Sequence, residues 1–381
     1  MRALLCLRVC PASLKNTLGD GHPMKPETRE LLNAEWRGRT GGQFIDAATE
    51  APEFKTVVVH FQTMVSALCD SWSLRKPVEF GLYRDDRFNA FADTFRGHYF
   101  IGVNTGTCRS FLSLFNTMMS NPAVFPNVGK ANLEKWTVGS FRSISEFFPS
   151  AADAKQSRMP IDESRQRFAQ VLYRFALQAV VLHELAHITN GHIDWKGSKV
   201  GTTTYSEDDL LVNGIPPAQH HAIERDADAC ALQWGCALIR QDERLYAHEY
   251  LNTHSVRIWF YVFAYSMVWR ALNRQSWGID KITGKHPPTP VRILLGLSAC
   301  HQFFAERPEY GFSKREALDM VLSVTALTEE VAAVLVDGAE VLDGLRGSLH
   351  EETEKRTEAY VDAWRQIRPE LVKHAWLSIS G

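Results

Sequence analysis

His183-Glu184-Leu185-Ala186-His187 is the segment of this sequence best equipped for chemistry. Two histidines four positions apart on an α-helix are separated by about 40° around its axis and about 6 Å along it, so both imidazoles can reach one metal ion. Glu184, beside the first histidine, can face a water on that metal and take its proton. A zinc ion in such a place lowers the pKa of the water, and the glutamate relays the proton to a leaving amine. The pattern implies metal-assisted hydrolysis, with His183 and His187 as ligands and Glu184 as the catalytic base.

A third ligand is needed. The long metzincin pattern requires Gly at 190 and His at 193, where this chain has Asn190 and Ile193, so that class is excluded. His192 follows the helix-ending Gly191 and is read as lying outside the ligand set. A glutamate on a second helix is the other common solution. Glu224-Arg-Asp-Ala-Asp228 supplies it, since Glu224 and Asp228 are one turn apart and share a face. Glu224 then takes the metal, and Asp228 accepts the N–H of a ligand histidine and fixes its tautomer. Arg225 and Asp226 give the same segment the look of a solvated acidic turn, which is the bland alternative.

These residues need two helices to carry them. Phe168, Leu172, Phe175, Ala179 and His183 recur at helical spacing from a start near Asp162 or Ser164, and Gly191 is a natural stop. Pro216-Pro217 opens the second helix, which runs through Glu224 to about Arg240. Ala227, Ala229, Ala231 and Gly235 are small enough to let it pack close to the first. The polar stretch from Asp194 to Asn213 reads as a loop able to gate a cleft. Residues 78–83 and 98–103 read as strands, and residues 55–75 and 255–273 as helices. Ser313 and Glu316 form a plausible capping box ahead of C-terminal helices.

Composition sets outer bounds. The 381 residues carry a formal net charge of −2, which gives no general attraction to nucleic acid or to an anionic membrane surface. Seven cysteines at irregular spacing, with no C-x-x-C pair, fit reduced thiols in a cytoplasmic protein and exclude a zinc ribbon. The apolar run that begins at Met1 is interrupted by Arg8 and is too short for a signal-peptide core. Ile258–Trp269 is the most apolar segment elsewhere. As a helix it rises about 18 Å against the bilayer's roughly 30 Å, so no membrane span is expected.

Four segments then occur in a telling order: Asn89-Ala-Phe-Ala92, His183-Glu-Leu-Ala-His-Ile-Thr-Asn-Gly-His192, Glu224-x-x-x-Asp228-Ala and His286-Pro-Pro-Thr-Pro-Val-Arg292-Ile. Together they resemble the gluzincin peptidases of the HtpX-like and CAAX prenyl endopeptidase group. The resemblance covers about 200 residues and implies an α+β domain in which extended substrate pairs with an edge strand. It also implies that His286 and Arg292 lie near the substrate. The spacing departs from the family's, with about ninety residues between Asn-Ala-Phe-Ala and the first histidine, and many members carry transmembrane helices that are absent here. The overall layout is also similar to the Lit phage-exclusion peptidases, soluble H-E-x-x-H proteins that cut a host translation factor.

The late motif also has a physical rationale. A tetrahedral intermediate needs an oxyanion donor besides the metal, and His286 on its rigid proline turn is suited to that, with Tyr205 and Tyr250 as weaker alternatives. Arg292 can bind a substrate carbonyl or carboxylate, and Asn89 a substrate backbone. The sequence therefore predicts a predominantly helical α+β fold, with a small sheet beside the H-E-x-x-H helix. It predicts an N-terminal arm over 1–50, a metallopeptidase domain over 51–310 and a helical extension over 311–381. The expected function is a soluble zinc endopeptidase acting on a protein or peptide substrate. The alternatives are a non-catalytic or degenerate zinc module that acts through a protein partner, and a metal-dependent hydrolase of a small amide.

Overall fold

The fold was obtained as a computed structural model. The structure describes residues 24–40, 42–74, 76–135, 158–200, 205–206, 215–241, 248–272, 289–335 and 351–377. By its internal contacts the chain divides into two compact units. One comprises Met1–Cys108, Val180–Trp234 and Asp362–Gly381, and the other Arg109–Ala179 and Gly235–Val361. The protein is predominantly helical with one small sheet, the α+β class predicted. No helix of the described residues is long and apolar enough to cross a membrane.

The first unit is built on a five-stranded sheet of order β1-β2-β4-β3-β5. Its strands are β1 (Gln43–Ile45), β2 (Val78–Arg84), β3 (Ala90–Phe95), β4 (His98–Asn104) and β5 (Tyr205–Ser206). Strands β2 and β4 run parallel and the other pairs antiparallel. Gly81 lies opposite Gly102 in the parallel pair, and the two open one face of the sheet to rings. A Cβ on Gly102 would fall 2.3 Å from the Phe91 ring, and one on Gly81 2.9 Å from that of Phe44. Phe44, Tyr83, Phe91 and Phe100 fill the space edge to face, with Met24 and Leu32 packed beside them. Helix α3 (Lys55–Ser71) covers the opposite face, where Phe61 packs on Phe80.

Residues 26–45, within the expected N-terminal arm or extension, carry helix α1 (Pro26–Thr40) and β1. The Asn33 side chain binds both backbone groups of Phe44, accepting its N–H at 2.6 Å and donating to its carbonyl at 2.9 Å. The link is one polar side chain wide, and no periodicity announces it. The Asn-Ala-Phe-Ala segment lies largely within strand β3. The short helix α2 (Ala47–Glu50) connects β1 to α3, and helix α4 (Thr105–Met119) follows β4.

Helix α5 (Glu163–Thr189) carries the H-E-x-x-H segment. Asp162 caps it, its Oδ1 accepting the Arg165 N–H at 3.1 Å, an interaction worth about 1 kcal/mol. Phe168, Leu172, Phe175, Ala179 and His183 are all buried, as their spacing predicts. Gly191 has φ +75°, and a Cβ there would sit 2.6 Å from backbone atoms of His374 and Ala375. Glycine is therefore required twice over, by dihedral and by space. The polar stretch read as a loop begins as helix α6 (His192–Val200). Ile193 and Trp195 are buried in it, the Trp195 indole donates to Glu370 at 3.0 Å, and Tyr99 donates to Asp194 at 2.6 Å. Tertiary partners override the polar look of the sequence. Apart from β5, the rest of the expected loop up to Asn213 lies outside the described residues.

Helix α7 (Pro217–Gln241) is the second predicted helix. The close approach at Gly235 is to the Tyr261 ring, 2.0 Å from a built Cβ, rather than to the H-E-x-x-H helix.

In the second unit, Arg165 is fully buried. It donates to five carbonyls of the 119–128 turns at 2.7 to 2.9 Å, with Glu134 3.7 Å away. Helices α8 (His254–Leu272), α9 (Thr289–Ala305) and α10 (Lys314–Leu335) pack on one another. The capping box at Ser313 and Glu316 is formed, with reciprocal bonds of 2.8 and 3.2 Å. Helix α11 (Glu351–His374) ends the described chain.

Candidate metal centre

Three side chains converge in the first unit. The last two turns of α5 present His183 and His187 on one face, and the second turn of α7 presents Glu224. One donor atom from each lies within 4.8 Å of the others, and all three residues are buried. The two Nε2 atoms are 3.0 Å apart. Glu224 places one carboxylate oxygen 3.5 Å from His183 Nε2 and the other 3.7 Å from His187 Nε2. Donors about 2 Å from a tetrahedral ion sit roughly 3.3 Å from one another. The spacing fits zinc, and two imidazoles with a carboxylate are a donor set zinc takes. Glu184 is buried next to His183 on the same helix.

Each histidine is held from behind. Asp228 Oδ1 lies 2.9 Å from His183 Nδ1, which leaves Nε2 to face Glu224 and His187. His187 turns its Nδ1 toward His192 Nδ1, 3.0 Å away. Burial opposes a charge on His183, but hydrogen bonds from Asp228 and Glu224 and their negative charges outweigh it and hold its pKa well above the ordinary value. Burial and the neighbouring charge of His183 push His187 well below the ordinary value. Without metal, His183 is therefore the ring of the pair that more readily holds an extra proton, between two carboxylates.

The sequence missed part of this cluster. His192, set aside because it follows Gly191, is turned back toward α5 by the left-handed glycine. Asp226, to which the sequence assigned no role beyond the bland alternative of a solvated turn, lies 3.3 Å from His192 Nε2 and accepts from Asn190 Nδ2 at 2.6 Å. His220 stands one turn before Glu224, is buried, and its charge acts on His187. The spacing 220, 224, 228 was the available signal for His220. For Asp226 there was none, because it lies off the Glu224 face.

Asn89 is buried, with its backbone N–H and carbonyl both bonded to Thr107 Oγ1 at 2.8 Å. Arg292 is a buried residue of the second unit whose guanidinium stands 3.7 Å above the Trp269 ring. That placement gives it a packing role needing no substrate. Tyr250 accepts the Gly129 N–H at 2.9 Å. Tyr205 pairs through its backbone with Ala92. His286 lies outside the described residues.

Residues 131–305 match the family model described as Peptidase U49. The match spans just under half of the chain and includes His183, Glu184, His187 and Glu224. The family is one of Lit-like peptidases, so the chain is similar to a peptidase family. No curated protein matches the chain, and no solved structure does.

Proposed function

We propose that this chain is a zinc-dependent endopeptidase, with His183, His187 and Glu224 as the metal ligands and Glu184 as the general base. The observation that carries this reading is the buried three-donor cluster next to Glu184, inside a span that matches a peptidase family. When bound, zinc would supply a Lewis acid that acidifies water and polarises the scissile carbonyl.

The chain's own residues do the rest. Glu184 takes a proton from the attacking water and delivers it to the departing amine nitrogen, a contribution of about 10²- to 10⁴-fold in rate. Asp228 keeps the proton of His183 on Nδ1, so that Nε2 offers its lone pair to the cluster. The sequence motif around His286 makes that residue the proposed donor to the oxyanion. A carboxylate beside a ligand histidine but outside the ligand set has a use in hydrolysis and none in a purely structural site, which favours an enzyme over a binding module.

Glu184→Gln tests the assignment. The variant should keep its metal and lose turnover by about 10²-fold or more. Proteomes of cells expressing the wild type should contain new peptide termini that cells expressing Glu184→Gln lack. New termini of equal abundance in both would contradict the mechanism.

A further inference from the structure

The polar cluster continues past the three donors, and its extension begins at the second nitrogen of His187. His187 uses Nε2 to face His183 and Glu224, at 3.0 and 3.7 Å. Its other nitrogen, Nδ1, meets His192 Nδ1 at 3.0 Å. Two ring nitrogens at that distance share one proton, which belongs to one ring or the other. His192 Nε2 in turn lies 3.3 Å from Asp226 Oδ2. Asp226 is buried and anchored by the Asn190 amide at 2.6 Å, so it stays where it can accept a proton from His192.

One arrangement of protons suits every contact in this chain. A carboxylate accepts, so His192 presents an N–H to Asp226 from Nε2. Its Nδ1 then serves as the lone pair that accepts from His187 Nδ1–H. His187 Nε2 is left as a lone pair turned toward Glu224. Reversing the tautomer of either histidine puts two lone pairs or two N–H groups face to face in a buried site.

Resting on the zinc reading above, we propose that His192 and Asp226 are positioning residues which together fix the tautomer of His187 for metal binding. The two ligand histidines are thereby held by two carboxylates of one helix. Asp228 acts directly on His183, and Asp226 acts on His187 through His192. The relay is needed because Asp226 is two residues from Asp228 and points off their shared face. Gly191 makes it possible by turning the chain so that His192 returns to α5.

The test uses the full chain in two arms. In the metal-free protein labelled with ¹⁵N-histidine, the ring shifts of His187 should report a proton on Nδ1. In His192→Phe, His187 should show a mixture of tautomers. In the second arm, zinc affinity is measured by competition with a chromophoric chelator. Asp226→Asn, which keeps the side-chain volume, should bind about 10- to 100-fold more weakly, as should His192→Phe. His192→Gln keeps an acceptor for His187 and a donor for Asp226, and should recover most of the loss. The double variant His192→Phe/Asp226→Asn should be no weaker than His192→Phe alone.

If Asp226→Asn weakens binding equally with and without His192, the relay is overturned. It is also overturned if His192→Phe loses zinc as completely as Glu224→Ala, because His192 would then be a ligand, or if the single variants bind as the wild type does. A wild-type chain that takes up no zinc overturns the metal reading, whereas the tautomer of His187 in the metal-free protein judges the hydrogen-bond chain alone.

Discussion

Asp228 Oδ1 stands 2.9 Å from His183 Nδ1, on the side of the ring away from the other two donors of the cluster. A carboxylate in that position fixes which nitrogen carries the proton and raises the basicity of the other. Asp228→Ala should therefore leave a site that still forms but binds zinc about 10- to 100-fold more weakly. Asp228→Asn, which keeps the volume but not the charge, should weaken binding to a similar degree. Chelator competition on the three proteins checks both, and an Asp228→Ala protein with wild-type affinity would remove Asp228 from the site.

Metal binding should be pH-dependent in a stated direction. In the folded, metal-free chain burial disfavours a charge on His183, but Asp228 and Glu224 overcome it and raise its pKa. An unfolded histidine titrates near 6.5. The ion-paired His183 thus stabilises the metal-free fold fully below about pH 6.5, and that contribution is lost as pH rises through the raised folded value. A metal must displace this proton, so zinc affinity should fall as pH is lowered, by up to about tenfold per unit. Dissociation constants at about pH 6 and about pH 8 check the sign, and tighter binding at the lower pH would contradict the assignment of the proton to His183.

Gly191→Ala should be among the costlier single-methyl additions to this protein. The position has φ +75°, and the new Cβ would lie 2.6 Å from the backbone of His374 and Ala375. A non-glycine residue in the left-handed region costs of order 1–3 kcal/mol before any clash. The denaturation midpoint should drop accordingly, and because His192 depends on this turn, zinc affinity should drop with it. An unchanged midpoint would show that the turn relaxes easily.

How much of this was legible in the sequence depended on whether a residue's partner lay within reach of a periodic pattern. Helix α5 was readable because Phe168 through His183 repeat at helical spacing, and α7 because prolines open it and Glu224 and Asp228 share a face. Strands β2 and β4 were readable as apolar runs between turn residues. By contrast, β1 is three residues long and is tied in by Asn33, a contact eleven residues away that leaves no local trace. Helix α6 looked like a loop because Asp194, Lys196, Ser198 and Lys199 dominate its composition, while burial of Ile193 and Trp195 decides its structure. His192 was set aside because a helix ending at Gly191 suggests that the next residue departs, whereas the left-handed glycine sends it back. The motif that singled out Arg292 carried no sign of its stacking on Trp269, a partner twenty-three residues away.

The central claim is that His183, His187 and Glu224 hold one zinc ion between them, and metal analysis of the purified full-length chain tests it most directly. The account predicts about one zinc per wild-type chain, and loss of that zinc after dialysis of Glu224→Ala with its fold retained. Zinc retained in full by Glu224→Ala, or none bound by the wild-type chain when zinc is supplied, would contradict it.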